Sequence, residues 1–551
     1  MLQHLDTGQP PHQNEPASRS TCSSRDEPAL RDEPALRDEP ALRDALAAAL
    51  RRHGPALLTG ALVALWLVLA LRSLQFFSMK DDEGTFLLTA QTVREGHALY
   101  RDIWFNYLPG LIGLVLAAFR VGGVNVEAPR VLMVLFAALS LGGAAALAAA
   151  SGRRWAAPVV VALLMLAPNW VQMSRSVMGE VPANALCTLA LLAMLRYHRQ
   201  PRAGWLAAAG ALLGASIAVK YPTGIVLGVA GLDLLLLLLR QRTPWPRVLA
   251  RLALLGLSAV AVVALALLPF DLRAAWGQVA GSYRAASDIY VVDVPANLAR
   301  VLAYFGKNNL ALVPAGLLGL GLWLGERRPG SVLLTLWLGL TLVAMLLSAP
   351  LGDHHLYLLQ QPMTILAAVA LAAAPDLLRR GLARHSPAPA LLGLSGAACL
   401  LALVWWSPAV LERTYDRLRP RPDDHPAERE AVAALQAHTL PGDLVVCDWA
   451  MITFRAGRSA PPALVNTADL RFIIGEMDAA RSIAALEASQ PAAIAFWEQK
   501  LVTFCPEVLA WVDSRYVLLQ RDEAAERQGD PIKLHAIYLR PDRQDRPDRV
   551  P

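Results

Sequence analysis

Charge is scarce in this sequence. Asp, Glu, Lys and Arg make up 17% of its 551 residues, against about a quarter in soluble chains. The deficit is local: between Pro55 and Pro408 the charges fall in short clusters separated by apolar runs of roughly bilayer-crossing length. That pattern excludes a soluble globular enzyme. A secretory leader is also lacking, because the N-terminal stretch is polar, acidic and too long for one. The five cysteines, Cys22, Cys187, Cys399, Cys447 and Cys505, form no CxxC pair and no metal-ligand spacing, which excludes zinc-ribbon and dithiol redox chemistry. No glycine-rich phosphate loop is present. The net charge of +6 calls for no nucleic-acid partner, because the arginines gather in short loops as membrane topology requires.

What is present begins with a low-complexity tail. The hexapeptide RDEPAL occurs three times between residues 25 and 42. Proline every sixth residue opposes a continuous helix, and the polar composition cannot bury a core. Residues 1–54 therefore read as a disordered cytoplasmic tail. Candidate membrane spans follow at 55–76, 130–150, 156–173, 182–197, 204–219, 222–239, 248–269, 309–325, 331–349, 356–374 and 388–407.

The short apolar stretch 108–122 is the exception. Leaving it uncrossed puts Arg51-Arg52, Arg153-Arg154, Arg196–Arg202, Arg240–Arg251, Arg327-Arg328 and Arg379–Arg384 all on the cytoplasmic side. Crossing it would invert every later loop, against the positive-inside rule. The expectation is a polytopic α-helical membrane protein of about eleven transmembrane helices. Its N-terminus lies inside, 108–122 is a juxtamembrane or re-entrant segment, and the first outer loop covers 78–129.

After Pro408 the character changes. Residues 408–427 read as a linker, and 428–551 as a soluble extracytoplasmic α/β domain. In that domain 428–438, 478–489 and 502–512 have helical patterns. Strand patterns fall at 443–448, 492–496, 516–520 and 535–539. Cys447 and Cys505 share this domain, where a disulfide and two free thiols are both open.

The unusual polar residues of the membrane part all fall on the outer side. Asp81, Asp82 and Glu83 open the first outer loop, and Arg175 and Glu180 flank the second. Lys220 sits in the third, and Asp353, His354, His355 and Tyr357 lie in or beside the fifth. Each has an ordinary reading: a lysine at a helix end snorkels, and an acid before a helix suits its dipole. Carboxylates at the mouth of a membrane helix are nevertheless costly unless they serve a site. Their joint occurrence on one side points to a charged reactant bound at the bilayer surface.

In chain order the first loop reads Asp82-Glu83, Arg94-Glu95-Gly96, Tyr100-Arg101-Asp102 and Tyr107-Leu108-Pro109-Gly110. It resembles the first outer loop of polyprenol-phosphate-sugar-dependent glycosyltransferases of the C-type fold, the superfamily of protein O-mannosyltransferases and lipid A aminoarabinose transferases. Met178–Pro182, Val219–Pro222 and His355–Leu359 followed by Pro362 fit later landmarks. The loop departs from the family where Leu-Pro-Gly replaces a common double proline.

The resemblance implies a polyprenyl-phosphate-linked sugar as donor, inverting transfer, and a bacterial-type cytoplasmic (inner) membrane. The acceptor would be a glycolipid, a glycan or a protein. Asp82 would be the general base with Glu83 beside it, while Arg175, Glu180, Lys220, His354, His355 and Tyr357 would bind substrate. The acids with a phosphate form a donor set of the kind that holds Mg²⁺ or Mn²⁺, although some relatives work without metal. The alternative is a membrane transporter or lipid flippase. That would show internal symmetry and interrupted mid-bilayer helices, whereas here the polar residues lie at helix ends.

Overall fold

The computed structural model describes residues 39–78, 81–325, 330–421, 424–521 and 535–543. Most of the RDEPAL repeat, Cys22 and Arg327-Arg328 lie outside the described residues. The chain divides into two units, 1–52 and 53–551. In the first, the described residues are helical from Glu39 onward. The expected disordered tail is therefore corrected over 39–54. Pro40 falls in the first helical turn, where proline is tolerated, and the Ala-, Leu- and Arg-rich residues that follow favour helix.

The second unit contains the helical bundle. In chain order the helices are α1 (Glu39–Arg72), α2 (Asp81–Arg94), α3 (Gly110–Gly122), α4 (Glu127–Ala149), α5 (Ala156–Met165), α6 (Pro168–Met173), α7 (Glu180–Arg199) and α8 (Ala203–Val219). They continue with α9 (Gly224–Arg240), α10 (Trp245–Leu267), α11 (Leu272–Ile289), α12 (Val294–Asn308), α13 (Leu312–Gly325), α14 (Ser331–Leu346), α15 (Tyr357–Ala383) and α16 (Pro387–Leu418). Six among the described residues are long and apolar enough to cross a membrane: Arg52–Arg72, Glu127–Ala149, Tyr221–Arg240, Trp245–Leu267, Tyr357–Ala383 and Pro387–Leu418. The pair α12 and α13, bent by 102°, makes a seventh if taken together. With thirteen residues, α3 is roughly 20 Å long, well short of the hydrocarbon thickness of about 30 Å.

Contacts sort the loops into two ends. At one end Ser73 meets Arg175, Glu180 meets Lys220, Asn169 meets Asn308, Asn297 meets Ser348 and Thr414 meets Leu166. At the other end Gly54 lies against Trp155, Gly330 against Leu195 and Gly381 against Ala390, with Arg251 over Tyr197. The loops of this second end carry Arg153, Arg154, Arg196, Arg199, Arg202, Arg240, Arg242, Arg247, Arg379, Arg380 and Arg384. The basic clusters thus share one end of the bundle, and the acids and imidazoles of interest share the other. The most buried long helix is α15, which is enclosed on nearly all sides.

Helix α16 runs through Pro408 to Leu418, so the expected linker begins later than its proline suggested. Pro408 removes one backbone donor, and the following Ala-Val-Leu-Glu-Arg continues the helix. The C-terminal part then adds α17 (Pro426–His438), β1 (Val445–Cys447), α18 (Ala450–Arg455), α19 (Asp469–Ile473), α20 (Ala479–Ser489), β2 (Ala493–Phe496), α21 (Lys500–Phe504), α22 (Pro506–Arg515), β3 (Val517–Arg521) and β4 (Ala536–Leu539). The sheet has the order β1-β2-β4-β3. Strands β1 and β2 are parallel, and the other two pairings are antiparallel. The single helix expected at 502–512 is two, because Pro506 ends one helix and opens the next. Cys187, Cys399, Cys447 and Cys505 are free thiols.

The sheet domain docks on the bundle through α18. A Cβ at Gly84 in α2 would lie 2.7 Å from Met451 Cα, so only glycine permits this approach. Phe119 of α3 stacks on Phe454 at 6.0 Å.

Candidate active site

The first part of the site is the segment after α1, residues 73–78. It belongs to no helix or strand, so its backbone groups need other partners. Arginines supply them. Arg130 of α4 donates to the carbonyls of Leu74 (2.9 Å), Phe76 (2.8 Å) and Phe77 (3.3 Å). Its guanidinium carbon lies 3.5 Å from the centroid of the Phe76 ring. Arg130 is itself fixed by Glu83, through Nε to Oε1 at 2.8 Å and Nη2 to Oε2 at 2.7 Å. Both side chains are fully buried. Glu83 Oε1 also accepts from the Val177 N–H at 3.0 Å.

Arg175 plays a similar part from the α6–α7 turn. It donates to the Ser73 carbonyl at 2.6 Å and hydroxyl at 2.8 Å, to the Val171 carbonyl at 3.2 Å and to the Arg417 carbonyl. It is buried. In the structure Glu83 is engaged by the Arg130 guanidinium, and Arg175 by three backbone carbonyls and the Ser73 hydroxyl.

Asp82 is different. It lies on the first turn of α2, partly exposed, and makes no hydrogen bond or ion pair with a described residue. The side chain of Asp81 lies outside the described residues. Asp82 and Glu180 both act on the Tyr107 phenol, which burial first and these charges second push well above its ordinary value. The Tyr107 phenol therefore stays protonated and feels the charge of both carboxylates.

Glu180 and Lys220 form the second part. Helix α8 stops at Val219, Lys220 is extended (φ −147°, ψ 97°), and Pro222 follows. The Lys220 side chain returns to Glu180 at the head of α7, Nζ to Oε1 at 2.7 Å. Gly179 makes room, since a Cβ there would lie 3.4 Å from Lys220 Cδ and 3.1 Å from the Val219 carbonyl oxygen. Glu180 is fully buried and Lys220 is 4% exposed. The ammonium also stands 5.3 Å from the centroid of the Tyr107 ring, a cation–π distance.

The loop before α15 completes the cluster. His354 Nε2 is 4.0 Å from Glu180 Oε1, and the His354 and His355 rings are 4.2 Å apart. Burial, then the charge of His354, pushes His355 well below the usual imidazole range, so it is neutral at neutral pH. Its Nδ1 accepts from the Gly352 N–H at 3.3 Å, which leaves the proton on Nε2 as a donor. Deeper in the bundle Tyr304 donates to Gln360 Oε1 at 2.6 Å. The buried Tyr357 hydroxyl and Gln360 Nε2 have no hydrogen-bond partner among the described residues.

The structure thus gathers Glu180, Lys220, His354 and His355 with Tyr107, and puts Asp82 at the head of α2, with Glu83 held by Arg130 and Arg175 by the Ser73 segment. Reading the sequence missed Arg130, Tyr107 as a hub, Tyr304 and Gln360. Arg130 had a signal, an arginine at the head of an apolar helix. Two of the acids are ion-paired, Glu83 with Arg130 and Glu180 with Lys220. Among the described residues no group of three or more His, Cys, Asp or Glu stands together as a metal site.

Residues 109–267, from the start of α3 to the end of α10, match the family described as dolichyl-phosphate-mannose-protein mannosyltransferase. No curated protein matches the sequence significantly. Among solved structures, the chain is similar to apo ArnT from Cupriavidus metallidurans. The TM-score is 0.57 at 16% identity, over 89% of this chain and 98% of that one. ArnT bound to undecaprenyl phosphate gives a TM-score of 0.55 at 16% identity, over 88% and 98%. The oligosaccharyltransferase AglB from Archaeoglobus fulgidus, in complex with an inhibitory peptide and a dolichol-phosphate, gives 0.53 at 12% identity, over 88% and 74%. At such identities the likeness is one of fold. It extends over nearly the whole of ArnT, and the likeness to this superfamily seen in the short loop motifs recurs independently in the family match and in the fold.

Proposed function

We propose that this protein is a membrane glycosyltransferase that moves one sugar from a polyprenyl-phosphate donor to an acceptor hydroxyl, with inversion. The observation that carries this reading is the carboxylate of Asp82, without a partner among the described residues, on the same end of the bundle as Lys220, His354 and His355. As the acceptor oxygen attacks the anomeric carbon, Asp82 takes its proton. The bond from that carbon to the phosphate oxygen breaks, its electron pair passes to the phosphate, and polyprenyl phosphate leaves. Lys220 retains two N–H donors beyond the one facing Glu180. With the Nε2–H of His355 and with His354 it would hold the charge that develops on the phosphate.

Glu83 enters this reading as a positioning residue for its neighbour, and Arg175 as a strut of the same turn. Glu180 orients Lys220. Tyr357 lines the inner wall beside Glu180. The bundle crosses the membrane eleven times in this reading, with α3 lying at the outer interface. The arginine-rich end faces the cytoplasm and the site and sheet domain face outward, as in a bacterial-type cytoplasmic membrane.

The test is turnover by the purified Asp82→Asn protein. It should fold as wild type does and release no polyprenyl phosphate from donor. Wild-type turnover in that variant would remove the base from the proposal.

A further inference from the structure

Residues of the sheet domain and of the segment leading to it surround the Phe76–Phe77 segment ahead of Asp82. Phe77 is gripped most closely. Arg455 of α18 donates from Nη2 to the Phe76 carbonyl at 2.6 Å and to the Phe77 carbonyl at 2.8 Å, and from Nε to the Phe77 carbonyl at 3.1 Å. The Phe77 N–H donates to both carboxylate oxygens of Asp424, at 2.9 and 3.1 Å. Asp424 is in turn held by Arg429 at 2.6 Å. The Arg421 N–H donates to the Gln75 carbonyl at 3.2 Å. The Phe77 ring lies 5.0 Å from the Arg455 guanidinium and 5.6 Å from the Trp449 ring. Beyond Asp82, Gly84 abuts the Met451 backbone.

The Phe76 and Phe77 carbonyls are therefore shared by two arginines from different parts of the chain. Arg130 holds them from the bundle and Arg455 holds them from the sheet domain. Glu83 anchors only the bundle side. With Arg455 gone, these carbonyls would keep Arg130 alone, and the turn five residues ahead of Asp82 would lose its outer wall. From this geometry we infer that Arg455 is a positioning residue for Asp82, so that the sheet domain completes the active site by holding the Phe76–Phe77 turn. The inference rests on the glycosyltransferase reading above.

Arg458 provides the control. It is three residues away, but its guanidinium is engaged within the sheet domain and α17, by the Thr439 hydroxyl at 2.8 Å and the Thr439 and Ala456 carbonyls at 2.8 and 3.0 Å. It does not touch the turn. Donor lipid is isolated from cells carrying Asp82→Asn and given to purified full-length wild type, Arg455→Gln and Arg458→Gln. Release of polyprenyl phosphate is followed by mass spectrometry. Arg455→Gln should lose roughly ten- to a hundredfold in kcat, the scale of a small misplacement of a reacting group. Its KM for donor should stay within about twofold, and added methylguanidinium should restore part of the rate. Arg458→Gln should keep the wild-type kcat. Hydrogen exchange should quicken at the α2 amides in Arg455→Gln alone.

Wild-type kcat in Arg455→Gln overturns the inference, as does an equal loss in Arg458→Gln or an effect confined to KM. If Asp82→Asn is inactive while Arg455→Gln is fully active, only this inference falls. If wild type leaves the lipid intact, the glycosyltransferase reading falls and takes the inference with it.

Discussion

Glu83 and Arg130 show how neighbouring acids in one short run take different roles. Glu83 meets a fully buried guanidinium in a two-point contact, whereas the next residue back, Asp82, stays open. Removing one partner of a buried ion pair leaves the other charge uncompensated in the interior, at a cost of about 3–5 kcal/mol. Arg130→Met is expected to unfold at markedly lower temperature than wild type, and adding Glu83→Leu should recover part of the loss. Thermal unfolding of the detergent-solubilised proteins measures both. A fully stable Arg130→Met protein would contradict the assigned role.

The residue scale is also where the sequence was least legible. Asp82 and Glu83 look equivalent in a one-dimensional run, and only the position of Arg130, 47 residues later, separates them. Arg175 looked like a phosphate ligand because it sits in an outer loop. Apart from the Ser73 hydroxyl, its partners in the structure are backbone carbonyls, which leave no trace in side-chain chemistry. Lys220 and Glu180 were recognisable because each stands at an abrupt end of an apolar run.

Elements were more legible, because periodicity and length report on them directly. The strands at 445–447, 493–496, 517–521 and 536–539 fall within two residues of their sequence patterns. Helices α18 and α19, of six and five residues, are too short for a period to register. Yet α18 carries Arg455 and the contact with α2.

The junction before α17 has its own titration. His425 pairs with Glu428 at 3.5 Å, and this hydrogen bond raises the imidazole pKa above its ordinary value. A raised folded-state value means that the stabilisation is complete below the unfolded value of about 6.5 and is lost as pH rises through the folded one. The difference in unfolding temperature between wild type and His425→Gln should therefore be largest near pH 6 and shrink as the solution becomes alkaline. A difference that grows with pH would contradict this pairing.

At the scale of the whole molecule, the distribution of Lys and Arg is what sets 108–122 apart from the spans in the proposed topology. Length alone does not, because α5 is shorter than α3. Helices run across both boundaries drawn from composition, α1 through Pro55 and α16 through Pro408. The proposed topology makes a direct prediction. A cysteine introduced at Arg153 should be shielded from a membrane-impermeant maleimide in intact cells, while one at Ser459 should react. The reverse labelling would place the candidate site on the cytoplasmic side.

The central claim is that Asp82 takes the acceptor's proton in a reaction that consumes a polyprenyl-phosphate sugar. The most direct test is mass spectrometry of the lipids from cells expressing either the intact protein or Asp82→Asn at equal levels. The account predicts that a polyprenyl-phosphate-linked sugar accumulates in the variant alone, with a mass that identifies the sugar. An unchanged lipid profile, with the variant folded and in the membrane, would contradict it.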